Sequence, residues 1–348
     1  VGKTTVAGVL ALEAARLGRR AVVLTVDPAK RLADALGLAH LPNWPHRVGG
    51  PWPGELWALM LDTRGTFDAL VTKYARTQAQ AQAILANRFY QNIAGGLSGI
   101  QEYMAIEKLF ELHDEQRFDL IVVDTPPTRN ALDFLDAPRR LTNFIDNRFY
   151  RFLMAPARTG LKAVNIATGI VLRTISKVVG AEVVSDAVTF FQAFEGMEEG
   201  FRDRAQRMRG LLADSGTAFV LVASPRRDAV REVGFFADKL RQSGIPVKGL
   251  VVNRTHPRFG TGLPEADRER ARTMAGTGLG PLYENLADFS QMAEAEGDHI
   301  DALVLKVKAP SAAMVPELSS DVHDLEGMAE LSRYLFAPDE APAQPASG

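Results

Sequence analysis

Short, mostly apolar runs alternate along this chain with longer stretches in which apolar residues recur every three or four positions. Ala21-Val22-Val23-Leu24, Leu56 to Leu61, Phe118 to Val123, Ala218 to Ala223 and Val247 to Val252 have strand length and lack the polar alternation of a sheet with one wet face. They predict strands buried on both faces. Between them, Val6 to Leu17 is rich in Ala and Leu and stops at Gly18, as a helix does. Further helices are predicted over about 30–38, in amphipathic pieces up to Gln116 broken by Ala94-Gly95-Gly96 and Ser98-Gly99, and over 228–242, 265–274, 281–296 and 325–335. Leu303 to Val307 reads as one more strand. Residues 39–54 carry Pro42, Pro45, Pro51 and Pro53 and read as a surface loop.

Alternating strands and helices predict an α/β fold with a mostly parallel sheet flanked by helices. From 139 to 214 no strand signal appears, so this stretch reads as a helical insertion subdomain within a domain made of 1–138 and 215–336. The Ala/Pro-rich tail 337–348 reads as disordered. Within the insertion, Ala187, Phe190, Phe191, Phe194, Met197 and Phe201 share one apolar helical face. Left in water, such a face would forfeit about 10 kcal/mol, at roughly 1.5 to 3 kcal/mol per large side chain, so it must be covered. The cover is the protein's own core or a dimer interface, or else the face is a groove for an apolar client helix. Arg202, Arg204, Arg207 and Arg209 read as a solvated helix face.

Composition narrows the chemistry. The chain has 348 residues, enough to bury a large core, and no cysteine, which excludes disulfides, thiolate-held zinc and a Cys nucleophile. Its formal net charge of −2 gives no basic field for nucleic acid. No apolar run reaches the roughly 18 to 20 residues of a transmembrane helix, and the chain reads as soluble.

Val1-Gly2-Lys3-Thr4-Thr5 has the form of the end of a phosphate-binding loop entering a helix. Gly2 allows close backbone approach to an anion, Lys3 brings charge to the phosphates, Thr4 offers a hydroxyl to Mg²⁺, and the helix N-terminus favours anions. The tripeptide alone is also common by chance. In parallel sheets, however, ligands sit beyond the carboxyl ends of the strands, and here the strands end on Asp27, Asp124, Ser224-Pro225 and Asn253. Asp27 could equally make an Asx-turn before Pro28, and Asp124 could cap the next turn. Taken together with Lys3 and Thr4, the two acids supply the groups that phosphoryl transfer to water requires.

These motifs, Thr25-Val26-Asp27-Pro28-Ala29 with Leu32-Ala33-Asp34-Ala35, Val123-Asp124-Thr125-Pro126-Pro127-Thr128 and Val251-Val252-Asn253-Arg254, resemble in content and order those of the ArsA/GET family of P-loop ATPases. The family includes arsenite-pump subunits and the targeting factor for tail-anchored membrane proteins. The resemblance implies a cytoplasmic, dimeric, Mg²⁺-dependent ATPase, with a membrane transporter or membrane-protein client as its partner. It implies Asp27 as the water-activating carboxylate of a first switch and Asp124 as the magnesium-side acid of a second, continued by Thr125 to Leu132. It also implies Thr5 at the α-phosphate, Asn253 at adenine, and Val315-Pro316-Glu317-Leu318 as a loop closing over the base. A dimer-bridging Lys, the front of the loop and a first strand are expected upstream of Val1. Lys30 and Arg31 stand where the family often has His and Asn. The missing cysteines remove both the zinc staple of targeting factors and thiol activation by metalloids.

Overall fold

A computed structural model describes residues 2–27, 30–93, 100–125, 136–137, 139, 142–143, 146, 180–257, 259, 263–318 and 320–336. Pro28-Ala29, most of the second-switch continuation, the first part of the helical insertion and the tail 337–348 lie outside these residues.

Helix α1 (Lys3–Arg16) leads through Gly18 at φ 85° into β1 (Arg20–Thr25). There follow α2 (Arg31–Ala35), β2 (His46–Val48), β3 (Glu55–Met60), α3 (Thr63–Tyr74), α4 (Gln78–Leu85), α5 (Arg88–Ile93), α6 (Ile100–Asp114) and β4 (Leu120–Asp124). After residue 180 come α7 (Ala181–Ala193), α8 (Glu198–Ala213), β5 (Phe219–Ala223), α9 (Arg227–Gln242), β6 (Val247–Thr255), α10 (Pro264–Thr273), α11 (Gly280–Val307), β7 (Ala312–Pro316) and α12 (Leu325–Phe336).

The strands form two sheets. One has the order β2-β3-β1-β4, with β3, β1 and β4 parallel and β2 antiparallel at the edge; the other, β5-β6-β7, is wholly parallel. The register sets Thr25 against Asp124 on one side and Met60 on the other, and Asn253 against Val315. Strand alternation then divides the core. Val22 and Leu24 point into a layer with Phe67 and Leu70 of α3, Met104 and Ile106 of α6, and Phe190 and Phe201 of the α7–α8 region. Ala21 and Val23 point the other way, toward Val9 and Leu12 of α1, and this second layer also holds Val222, Val251 and Val315 from the other sheet and Met328 of α12. Helix α1 packs against β1, β3 and β4, and the apolar layer it belongs to continues into the other sheet.

Five expectations are corrected, the last of them at Arg204. Leu303 to Val307 is the last turn of the 28-residue α11, where Leu303 and Val307 are buried against α9, β5 and β6. The proline-rich stretch contains β2, a short edge strand whose Val48 is buried. Val315 and Pro316 end strand β7, and only Glu317 and Leu318 continue beyond it. The apolar face of the insertion is internal: Phe190 packs on Phe89 and Tyr90, and Phe201 on Tyr74 and Phe194, so the cover is the protein's own core and that face is no client groove.

Arg204 departs furthest from its expected place on a solvated face. It is 2% exposed on α8, stacked 4.0 Å over the Phe110 ring, with Nε donating to Glu107 Oε1 at 3.0 Å and Nη2 to the same oxygen at 2.6 Å. Arg202, Arg207 and Arg209 are exposed, as expected.

Candidate functional site

Gly2 is the junction of the molecule. Its φ of 92° lies in the left-handed region, and a Cβ there would stand 2.2 Å from Asn253 Nδ2, so both the backbone and the space require glycine. Its carbonyl accepts the first helical bond of α1, from Val6 N–H at 2.9 Å. The amides of Lys3, Thr4 and Thr5 therefore precede any intrahelical acceptor and, with the helix dipole, make the entrance to α1 attractive to an anion.

Lys3 is half-buried. Burial depresses its ammonium pKa, and the nearby carboxylates of Asp124, Glu232 and Asp27 counter this. Asp124, the last residue of β4, is buried; burial pushes its carboxyl above the ordinary range, against hydrogen bonds from Thr4 and Thr25 and the charge of Lys3. The Thr25 hydroxyl donates to Asp124 Oδ2 at 2.9 Å and accepts from the Asp27 N–H at 3.2 Å. Asp27 Oδ2 lies 3.9 Å from Arg31 Nη1.

The second sheet supplies the other wall. Asn253 is buried near the end of β6. Arg254, with φ 61°, interrupts the pairing before Thr255 meets Pro316 at the end of β7. The Glu317 N–H donates to Thr255 O at 2.9 Å, which fastens the exit of β7 to β6. Contacts and charge interactions thus gather Gly2, Lys3, Thr4, Asp27, Asp124 and Asn253 around the start of α1. Thr5 lies one residue further into the helix, and half-buried Pro316 sits at the Asn253 end of the sheet. Glu232, an exposed residue of α9, and Thr25 have no role in the reading of the sequence. Nothing marks Glu232 in a single sequence, whereas Thr25 is a buried hydroxyl two residues before a strand-end acid and could have been singled out.

A hydroxyl in contact with a buried carboxylate fits Mg²⁺, which takes hard oxygen ligands and keeps waters and phosphate oxygens in the rest of its shell. Among the described residues no three His, Asp or Glu side chains converge into a metal cage. No helix of these residues is long and apolar enough to cross a membrane.

A loop glycine opening a helix, a lysine held among strand-end acids, and parallel strands delivering those acids to one edge define a phosphate-loop nucleotide site. The profile of the anion-transporting ATPases, ArsA_ATPase, matches residues 1–261, and the chain belongs to this family. Among its relatives, the ATPase GET3 of Malassezia globosa is 22% identical over 343 residues, covering 98% of this chain and 89% of its own. An Aquifex aeolicus protein named for an arsenical pump-driving ATPase is 23% identical over 265 residues, covering 74% of this chain and 77% of its own. The ATPase asna-1 of Caenorhabditis elegans is 29% identical over 150 residues, and the match spans 40% of this chain and 43% of the nematode protein.

Proposed function

We propose that the protein hydrolyses ATP and that hydrolysis switches the shape of a dimer serving anion transport or membrane-protein targeting. The observation that carries this reading is the meeting of Gly2-Lys3-Thr4 with Asp124, Asp27 and Asn253 at one strand edge. Lys3 and the first amides of α1 bind the phosphates, Thr5 lies toward the α-phosphate, and Asn253 and Pro316 hold the adenine. Thr4 and Asp124 would hold Mg²⁺, whose charge offsets that of the phosphate oxygens. Asp27 orients water for in-line attack. The names of the relatives support the two roles: one relative is named for an arsenical pump, and two are ATPases of GET3 or asna-1 type. The partner is a homo- or heterodimer mate, with a membrane transporter or membrane-protein client, in the cytoplasm.

The test is Asp27→Asn in the full-length protein. Loss of general-base or water-orienting function lowers kcat by about 10²- to 10⁴-fold, with ATP affinity kept within a few-fold. Turnover at the parental rate would remove Asp27 from this role. A second reading, a nucleotide-dependent binding module with little hydrolysis, is favoured by the approach of Arg31 to the Asp27 carboxylate. Single-turnover hydrolysis measured beside ATP affinity separates the two: tight binding with no chemistry supports the module.

A further inference from the structure

Strand β1 is paired through Thr25, and Asp27 stands two residues past the end of that ladder. The sheet alone does not set the direction of its side chain. The peptide group joining Val26 to Asp27 is instead held at both ends by side chains. Its carbonyl accepts from Gln101 Nε2 at 3.0 Å, and its N–H donates to Thr25 Oγ1 at 3.2 Å. Turning this peptide plane changes ψ of Val26 and φ of Asp27 together and breaks both bonds. The Val26 N–H is tied separately to Asp124 O at 3.3 Å, so the residue preceding Asp27 is fixed on each of its polar atoms.

The two holding groups are themselves anchored. Thr25 is 1% exposed, and its single proton is given to Asp124 Oδ2 at 2.9 Å, which leaves a lone pair for the Asp27 N–H. Gln101 lies in the first turn of α6, a helix packed against β4, α3 and α8, with Tyr103, Met104, Ile106 and Phe110 in the shared core, and tied to α8 by the Glu107–Arg204 pair. The amide placed there reaches a carbonyl 75 residues away in sequence.

We infer that Gln101 and Thr25 are positioning residues that clamp the Val26–Asp27 peptide and so aim the Asp27 carboxylate at the attacking water. The inference rests on the role proposed above for Asp27. A misplacement of about 1 Å at such a group lowers turnover by about 10²-fold without touching the bound nucleotide, so the clamp acts on kcat.

The experiment uses the full-length protein and four variants, Gln101→Glu, Thr25→Val, Thr25→Ser and Asp27→Asn, each alone, with the first two also combined with Asp27→Asn. Gln101→Glu keeps the shape and removes the donor. Thr25→Val removes the hydroxyl, and Thr25→Ser restores it. The expected result is a fall in kcat of about tenfold or more for Gln101→Glu and Thr25→Val, with KM for ATP within about twofold and Tm unchanged for Gln101→Glu, and near-parental turnover for Thr25→Ser. In the Asp27→Asn background neither change lowers the residual rate further, because a clamp has nothing left to aim.

Equal fold-losses in both backgrounds, or parental kcat for Gln101→Glu, would overturn the clamp. A raised Mg²⁺ requirement in Thr25→Val as its only defect would assign Thr25 to Asp124 instead. Parental turnover in Asp27→Asn would overturn the parent reading itself, and the single variant shows that outcome independently of the others.

Discussion

Two aspartates at opposite ends of β4 have pKa values displaced in opposite directions, and the cause is burial against pairing. Asp119, just before the strand, accepts from Arg20 Nη2 at 2.7 Å, from Arg20 Nε at 3.2 Å and from the Arg20 N–H at 2.9 Å, and these bonds hold its carboxyl down at about 2. A folded-state pKa below the ordinary 3.8 contributes stability that is full above pH 4 and is lost as pH falls toward 2. Both side chains are exposed, so the contribution is small and screened by salt. A carboxyl-carbon NMR titration should find the Asp119 midpoint near 2, moving back toward 3.8 in Arg20→Gln. Asp124, pushed up by burial, has the reverse sign: its contribution is present below the carboxylate range and is lost as pH rises and the charge forms in a dry site. Asp124→Asn should therefore raise Tm near neutral pH, an advantage that fades on acidification, while it reduces Mg²⁺-dependent turnover. Calorimetry across pH checks both parts.

Among the elements, α8 is held to α6 by an ion pair inside an apolar layer. Removing one partner of such a pair leaves a buried charge, and Arg204→Ala should cost about 3 to 5 kcal/mol in denaturant unfolding. Arg204→Met with Glu107→Leu should recover most of this, because the layer around them, Phe110, Phe201 and Met208, is apolar. The pair was hidden in the sequence because three neighbouring arginines are exposed. The legible signal was periodicity: Arg204 falls three residues after Phe201 and four before Met208, on the buried stripe. Strand β1 and the helix after Gly2 could be read directly, since double-sided burial leaves Ala21 to Leu24 an unbroken apolar run; β5 and β6 show mostly apolar runs, although Val220 is exposed and Lys248 interrupts β6. Leu303 to Val307 has the same appearance for another reason, being the buried end of a long helix, and a short apolar run does not distinguish the two. Strand β7 was missed as a strand because Ala, Met and Pro have little strand propensity; it forms because β6 offers it an edge. The site's acids, lysine and threonine were legible because chemistry constrains their residue types at strand ends. The Gln101–Val26 bond was not, since it joins distant segments that no spacing rule connects.

Among the described residues, the start of α1 touches both groups of paired strands: Gly2 lies against Asn253 of one, and Thr4 and Lys3 against Asp124 of the other. A ligand bound there stabilises both by mass action. Amide exchange should therefore slow at the carboxyl ends of β1 and β4 and of β6 together when ATP and Mg²⁺ are added, and protection confined to one sheet would contradict a shared site. Helix α12 braces α1 from behind. A Cβ on Gly8 would stand 2.4 Å from Met328 Cε, and Ser332 Oγ donates to Glu13 at 2.8 Å. During synthesis the phosphate-binding end of this helix leaves the ribosome early, but the strand carrying Asn253 and the brace carrying Met328 follow only some 250 to 330 residues later. At about 5 to 20 residues per second, the nascent chain spends at least about ten seconds with Lys3 made but no second wall to hold nucleotide. The site comes into being late in translation, which delays nucleotide capture until nearly all of the described fold has been made.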